Sequence, residues 1–217
     1  MSIERKEKFI CPNCGAEVEA TVWQSLNADI DPKAKDALIE GKLFGAECPK
    51  CHRHHNLVYP ILYHDMTHKV MVEFNLDHDV EDSIKEFKEA QAAVDNSLQD
   101  MMHDEYRHRF VKTQNDLQEK AMIFDADLDD RVVEIMKLFV MKKIGNDRLD
   151  AKVQELHFYV SDKGHGFAAI CEDNSFTIDA SPDFYSSIKE RYGEKLNEVG
   201  DKDYLVDHDW VVNRILK

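Results

Sequence analysis

The sequence lacks most of the features that announce a function. It has no Gly-X-Ser-X-Gly turn and no glycine-rich phosphate loop, which removes the nucleophile-elbow hydrolases and the P-loop nucleotide enzymes from consideration. Its longest apolar run, "VVEIMKLFVMKKI" at 132–144, is broken by lysines and a glutamate and falls well short of the roughly 20 apolar residues of a membrane span. The charged N-terminus "MSIERKEKFI" has no apolar stretch of the kind found in secretory signals, so the expected location is the cytoplasm. Basic residues are also short. There are 28 Lys and Arg against 43 Asp and Glu, a net charge of −15. Binding to nucleic acid or to an anionic membrane needs clustered cations and is therefore disfavoured. Residues 1–77 hold 9 Lys and Arg against 12 Asp and Glu, a net of −3, which leaves −12 for the remainder. A local basic face on the N-terminal part stays open.

What is present describes a globular chain. Hydrophobic residues make up 43% and charged residues 33% of 217, with only 8 Gly and 5 Pro, unlike a disordered tail. A chain of this size buries roughly 70% of its unfolded surface, enough for a sizeable core.

The patterning predicts an α+β fold: a small zinc-ribbon-like β domain, then helices, then an antiparallel β-meander with a helix. "EVEATVW" alternates Val18, Ala20 and Val22 against Glu17, Glu19 and Thr21, the period of a half-buried strand. "DPKAKDALIEG" opens with Asp31 and Pro32 and closes at Gly41, as a short helix does. "NLVYPILYHD" and "KVMVEF" read as strands, with Pro60 marking an edge or a turn. Between 80 and 101, Val80, Ile84, Phe87, Gln91, Val94, Leu98 and Met101 form the stripe of an amphipathic helix. Packing on the chain's own domain is preferred there to pairing with a second chain. Residues 115–144 are helical with a break at "DADLDD". From Val153, "LHFYV", "FAAIC" and "FTIDA" form a three-stranded meander, and "SPDFYSSIKERYG" a helix with Ser181 as N-cap and Gly193 after its end. The implied organisation is 1–77, 78–145 and 146–217.

Five cysteines are few, yet four are paired. Cys11, Cys14, Cys48 and Cys51 form two Cys-Pro-X-Cys motifs 33 residues apart. In a reducing compartment such pairs signal metal or redox chemistry rather than disulfides. A two-residue spacer lets both sulfurs converge on one ion while backbone N–H groups turn toward them, so the expectation is a four-cysteine zinc site. Gly15 suits the positive φ often needed after the second thiolate, and His52 takes the equivalent place. Thiol–disulfide catalysis is the alternative; it needs one pair at the start of a helix, whereas strand-like residues follow Cys14. Inert buried thiols are a third reading. Four thiolates leave zinc no open position, and the deaminase pattern of Pro before the pair with an upstream His-X-Glu is missing. Metal binding is expected to contribute on the order of 10 kcal/mol to folding. Cys171 reads as a core cysteine on a strand.

Two other clusters carry weaker signals. His52, His54, His55, His64 and His68 crowd into 17 residues beside Asp65, which raises a second metal or an acid–base pair against the simpler reading of surface histidines. "DADLDD" at 125–130 fails the calcium-loop pattern at Asp130 and Met136 and fits an acidic helix N-terminus better.

With CPNC at 11–14, "LFGAECPKC" and "YPILYHD" placed together, the chain resembles the CpXC family over residues 9 to about 77, and more loosely over "NDLQEKAMIFDADLDDRVVEIMK" at 115–137. The resemblance implies four metal-ligating cysteines and offers no catalytic residue. The expected function is a structural zinc module acting through protein–protein contact, with a homodimer as one form of it. The rivals are a hydrolase or other metalloenzyme built on His64, Asp65 and His68, and a zinc-ribbon nucleic-acid binder.

Overall fold

The alternation in "EVEATVW" becomes β2, Glu17–Asn27, in the computed structural model, which describes residues 1–76, 79–93, 106–147, 152–161 and 164–217. Val18, Ala20 and Val22 face the core. β2 pairs antiparallel with β1 (Ile3–Ile10) on one side and parallel with β5 (Ile61–Asp65) on the other. β5 pairs antiparallel with β6 (Val70–Phe74), and β6 parallel with β7 (Arg107–Val111), giving the order β1-β2-β5-β6-β7. Residues 1–77 therefore supply four of the five strands. The fifth arrives from beyond the helix that follows, because a parallel neighbour of β6 needs a crossover.

Two short strands, β3 (Gly45–Glu47) and β4 (His54–Asn56), form a separate hairpin whose loop is the second cysteine pair. Pro60 stands immediately before β5, where its missing N–H interrupts no ladder bond. α1 (Pro32–Ile39) starts after Asp31, whose carbonyl, rather than its side chain, receives the Ala34 and Lys35 N–H groups. At its end Gly41 takes φ +70°, letting the Lys42 N–H reach the Ala37 carbonyl. α2 (Val80–Ala92) lays Phe87 against the rings of His108 and Phe110 on β7, 5.0 and 5.5 Å away. The first part of the expected stripe thus packs on its own domain. Its continuation, Val94, Leu98 and Met101, lies outside the described residues.

The chain divides into two compact units, Met1–Ala121 and Met122–Lys217, and the division falls within α3 (Gln114–Asp125). Within the first unit, Gln114 and Gln118 of α3 donate to the carbonyls of Leu57 and Ile39, tying down the segments that flank the second cysteine pair and α1.

In the second unit, α4 (Asp130–Asp147) follows the expected break, and Asp129 and Asp130 gather at its N-terminus. Val132, Val133, Ile135, Met136, Val140 and Ile144 are buried; Phe139 is half-buried beside Tyr192. β8 (Val153–Ser161), β9 (Gly164–Cys171) and β10 (Ser175–Asp179) form the expected meander, with β9 central. Cys171 is half-buried at the end of β9 rather than fully in the core, since the strand stops there and turns back through Asn174.

The last long helix differs from its sequence reading. α5 spans Phe184–Val199, with Asp183 rather than Ser181 at its N-cap, and it runs through Gly193 to stop at Gly200, φ +73°. The reason is burial: Ile188 and Leu196, eight residues apart, lie on one face, and ending at Gly193 would expose Leu196. Arg131 secures that end. Its guanidinium pairs with Asp129 at 2.7 Å and donates to the carbonyls of Leu196 and Gly200. A one-turn helix, α6 (His208–Trp210), continues into a π turn at Val211–Ile215 and buries Trp210, Val211 and Ile215.

Candidate metal centre

The two Cys-Pro-X-Cys segments fold into the same turn. In the first, the Gly15 N–H donates to the Cys11 carbonyl and the Cys11 N–H to the Ala16 carbonyl, at 2.9 and 2.8 Å. In the second, the His52 N–H donates to the Cys48 carbonyl and the Cys48 N–H to the Arg53 carbonyl, at 2.9 and 3.0 Å. Closing each turn requires a left-handed residue after the second cysteine. Gly15 provides it at φ +72° and His52 at φ +56°, so the position expected to tolerate that angle does adopt it. The second cysteine of each pair is then faced by a backbone N–H two residues on, from Ala16 toward Cys14 and from Arg53 toward Cys51.

The turns bring their sulfurs together. One atom from each of the four side chains lies within 4.8 Å of every other. Two of the approaches cross between the pairs, Cys11 to Cys51 at 3.7 Å and Cys14 to Cys48 at 3.5 Å. A tetrahedral ion with metal–sulfur bonds near 2.3 Å holds its sulfurs about 3.8 Å apart, whereas a disulfide needs about 2.05 Å. The spacing therefore suits a common ion and not a bond. β2 follows the first pair directly, with no helix N-terminus to activate a redox thiol. Cys11 and Cys48 are fully buried among Val18, Ala20 and Ala46, with Phe9, Ala16 and Leu57 around the rim.

Their acidities are unequal. The Asn13 side chain and then the Arg53 N–H stabilise the Cys51 thiolate, bringing that thiol down to about 6. Backbone N–H groups of Cys51 and Lys50 also lower Cys48. For Cys14 the Ala16 N–H pulls downward, but burial and the three neighbouring sulfurs outweigh it and push the thiol up to about 12. The sulfur contacts act in opposite directions on the two partners, raising Cys14 and lowering Cys51, because a thiol that keeps its proton donates it to one that has lost its own.

A family model described as CpXC protein matches residues 9–137. The chain belongs to the CpXC family. The matched span takes in both pairs that give CpXC its name, four of the five strands of the sheet (β2, β5, β6 and β7) and the start of α4. No curated protein and no solved structure matches the chain.

The histidines of this CpXC protein scatter. His64 and Asp65 are consecutive on β5, so they point to opposite faces of the sheet. Asp65 is 2% exposed, takes the Tyr63 hydroxyl at 3.3 Å and meets His68 Nδ1 at 2.7 Å. His64 Nδ1 instead meets the Asn27 amide at 3.3 Å, its ring lies 5.3 Å from that of Tyr106, and burial lowers its basicity. The Asp65 and His68 pair is real, but strand alternation separates His64 from it. His52 and His54 are exposed on either side of Glu47. Among the described histidines His55 reaches the sulfurs, its Nε2 3.3 Å from Cys11 Sγ and its ring edge-on to Phe9. Nothing in "CHRHH" singles it out, because that choice depends on the pairing of Ala46 with His55 across β3 and β4. Asn13 was equally silent, being one variable residue inside a motif.

Proposed function

We propose that Cys11, Cys14, Cys48 and Cys51 hold one zinc ion, that this ion is structural, and that the protein acts in the cytoplasm through protein–protein contact. The convergence of four sulfurs at tetrahedral spacing carries the metal half. Four thiolates select zinc or iron among common ions, and they leave no position for a substrate. Thiolate ligation would fold each pair onto its partner and supply no chemistry beyond that. Metal analysis of the full chain should find one zinc per molecule, lost in Cys48→Ser and kept in His64→Ala and His68→Ala. Iron would reveal itself by visible thiolate charge-transfer colour, and a metal lost with His68 would revive the enzymatic rival.

The contact half is supported by β1. It spans eight residues at the outside of the sheet, only Phe9 is better than exposed, and among the described residues no strand lies on its outer edge. Charged edges usually repel a second strand. Here the order of charges is self-complementary. Laid antiparallel on a second β1 with Lys6 on the two-fold axis, Glu4 meets Lys8, Arg5 meets Glu7 and Ile3 meets Phe9, against one like-charge pair, Lys6 with Lys6. Such pairs contribute about 0.2–1 kcal/mol each, so the homodimer is weak. Sedimentation should show concentration-dependent self-association that Lys8→Glu abolishes and the added swap Glu4→Lys restores. A strict monomer at millimolar concentration removes this half of the proposal and leaves the zinc half standing.

A further inference from the structure

His55 belongs to the hairpin that carries the second cysteine pair, yet it meets a sulfur of the first. It lies on β4, four residues beyond Cys51, and its Nε2 stands 3.3 Å from Cys11 Sγ. Two features of the fold place it there. The β3–β4 ladder sets His55 opposite Ala46, which is buried beside Cys11 and Cys48. From the other side the ring of Phe9, two residues before Cys11, meets the imidazole edge-on with centroids 5.4 Å apart. The set whose ligand atoms all lie within 4.8 Å of one another is the four cysteines without His55, so the imidazole stands beside the tetrahedron rather than at a corner of it.

We infer that His55 is a positioning residue of the metal centre: its Nε2–H caps the Cys11 sulfur, ties the second cysteine turn to the first and slows release of the bound ion. The inference rests on the four-cysteine zinc reading. A cysteine that ligates a metal has given up its proton and can only accept, so at this contact the imidazole is the donor. An N–H directed at a thiolate spreads its charge without taking a coordination position, and partners of this kind commonly change metal affinity 10- to 100-fold. The direction of the contact matters as much as its chemistry. The backbone bonds that close each turn stay within that turn, from Gly15 to Cys11 and from His52 to Cys48, and survive when the turns separate. The His55 contact joins positions 44 apart and has to break for the site to open.

The test uses the full-length zinc-loaded protein, challenged with excess chelator while a chromophoric indicator reports released zinc. The metal content is counted first: a wild-type chain that binds no metal refutes the zinc reading itself, before His55 is examined. With one zinc bound, His55→Phe, which keeps a ring against Phe9 and removes the donor, should release zinc about 10-fold faster or more. His55→Gln retains an N–H and should recover slow release. If it is as fast as His55→Phe, ring packing rather than hydrogen bonding is responsible and the inference fails. His54→Ala, on the same strand but exposed beside Glu47, should match wild type; equal acceleration there would trace the effect to the hairpin as a whole and overturn the role of His55. Cobalt-loaded protein gives a second readout, a shift of the thiolate charge-transfer band in His55→Phe that His55→Gln reverses. Wild-type release and an unshifted band in His55→Phe would likewise overturn the inference.

Discussion

Beside the cysteine pairs of the first unit the buried neighbours are small: Val18, Ala20 and Ala46 are the side chains that enclose Cys11 and Cys48. Along α4 in the second unit they are larger, with Ile135, Met136 and Ile144 buried on one helix and Phe158 and Phe167 buried on the meander. Burying a full aliphatic or aromatic side chain contributes about 1.5–3 kcal/mol, and an alanine far less, while ordering the backbone costs about 1–2 kcal/mol per residue everywhere. The turns that carry the cysteines cannot offset that cost by apolar burial. The second unit can. The four cysteines thus converge where their buried neighbours are small, and the rest of the first unit relies on the sheet.

The largest test of that contrast is metal removal. Chelation under reducing conditions, or Cys48→Ser, should strip hydrogen-exchange protection from the amides of Cys11, Gly15, Cys48 and His52, reflecting the loss of on the order of 10 kcal/mol of binding free energy. Protection of the α4 amides should remain. Equal loss in both places would erase the distinction between the two units. From the opposite side, Met136→Ala in a Trp23→Phe background, which leaves Trp210 as the one tryptophan, should cost about 2–5 kcal/mol in urea or thermal unfolding followed by tryptophan fluorescence, with metal content untouched. A cost below 1 kcal/mol would mean that α4 is not the core of its unit.

The smallest effect lies in the sheet. Burial, with the nearby Glu86 carboxylate second, holds the Glu73 carboxyl above its ordinary range. A carboxyl raised on folding opposes folding wherever it is ionised, so the penalty is full at pH 7 and disappears once the group is protonated in both states. Glu73→Gln should stabilise the protein by about 0.5 kcal/mol at pH 7, the scale of a like-charge pair, and by nothing below about pH 4. Stabilisation that persists in acid would show packing of the amide, not relief of charge, to be the cause.

Much of this was legible in advance wherever a local rule governs. The strand at 17–23 follows from alternation, the break before α4 from its acidic run, and the left-handed Gly15 and His52 from what a Cys-Pro-X-Cys turn demands. Legibility failed where one distant contact overrules a local signal. Gly193 carries the mark of a helix end, yet the buried Leu196 beyond it keeps α5 going. His64, Asp65 and His68 look like one site because they are close along the chain, and a pleated strand sends the first two to opposite faces.

The sequence by itself determined the four cysteines as a set, because the two-residue spacing that aims two sulfurs at one point is a property of a tetrapeptide. Tertiary structure decided which sulfurs meet across the two pairs, Cys11 with Cys51 and Cys14 with Cys48, and which polar side chains stand behind them. Those contacts join residues about 40 positions apart. They depend on the register of β1 with β2 and of β3 with β4, which is fixed only when the one apolar face of each pair, Val18 and Ala20 on β2 and Ala46 on β3, finds its burial.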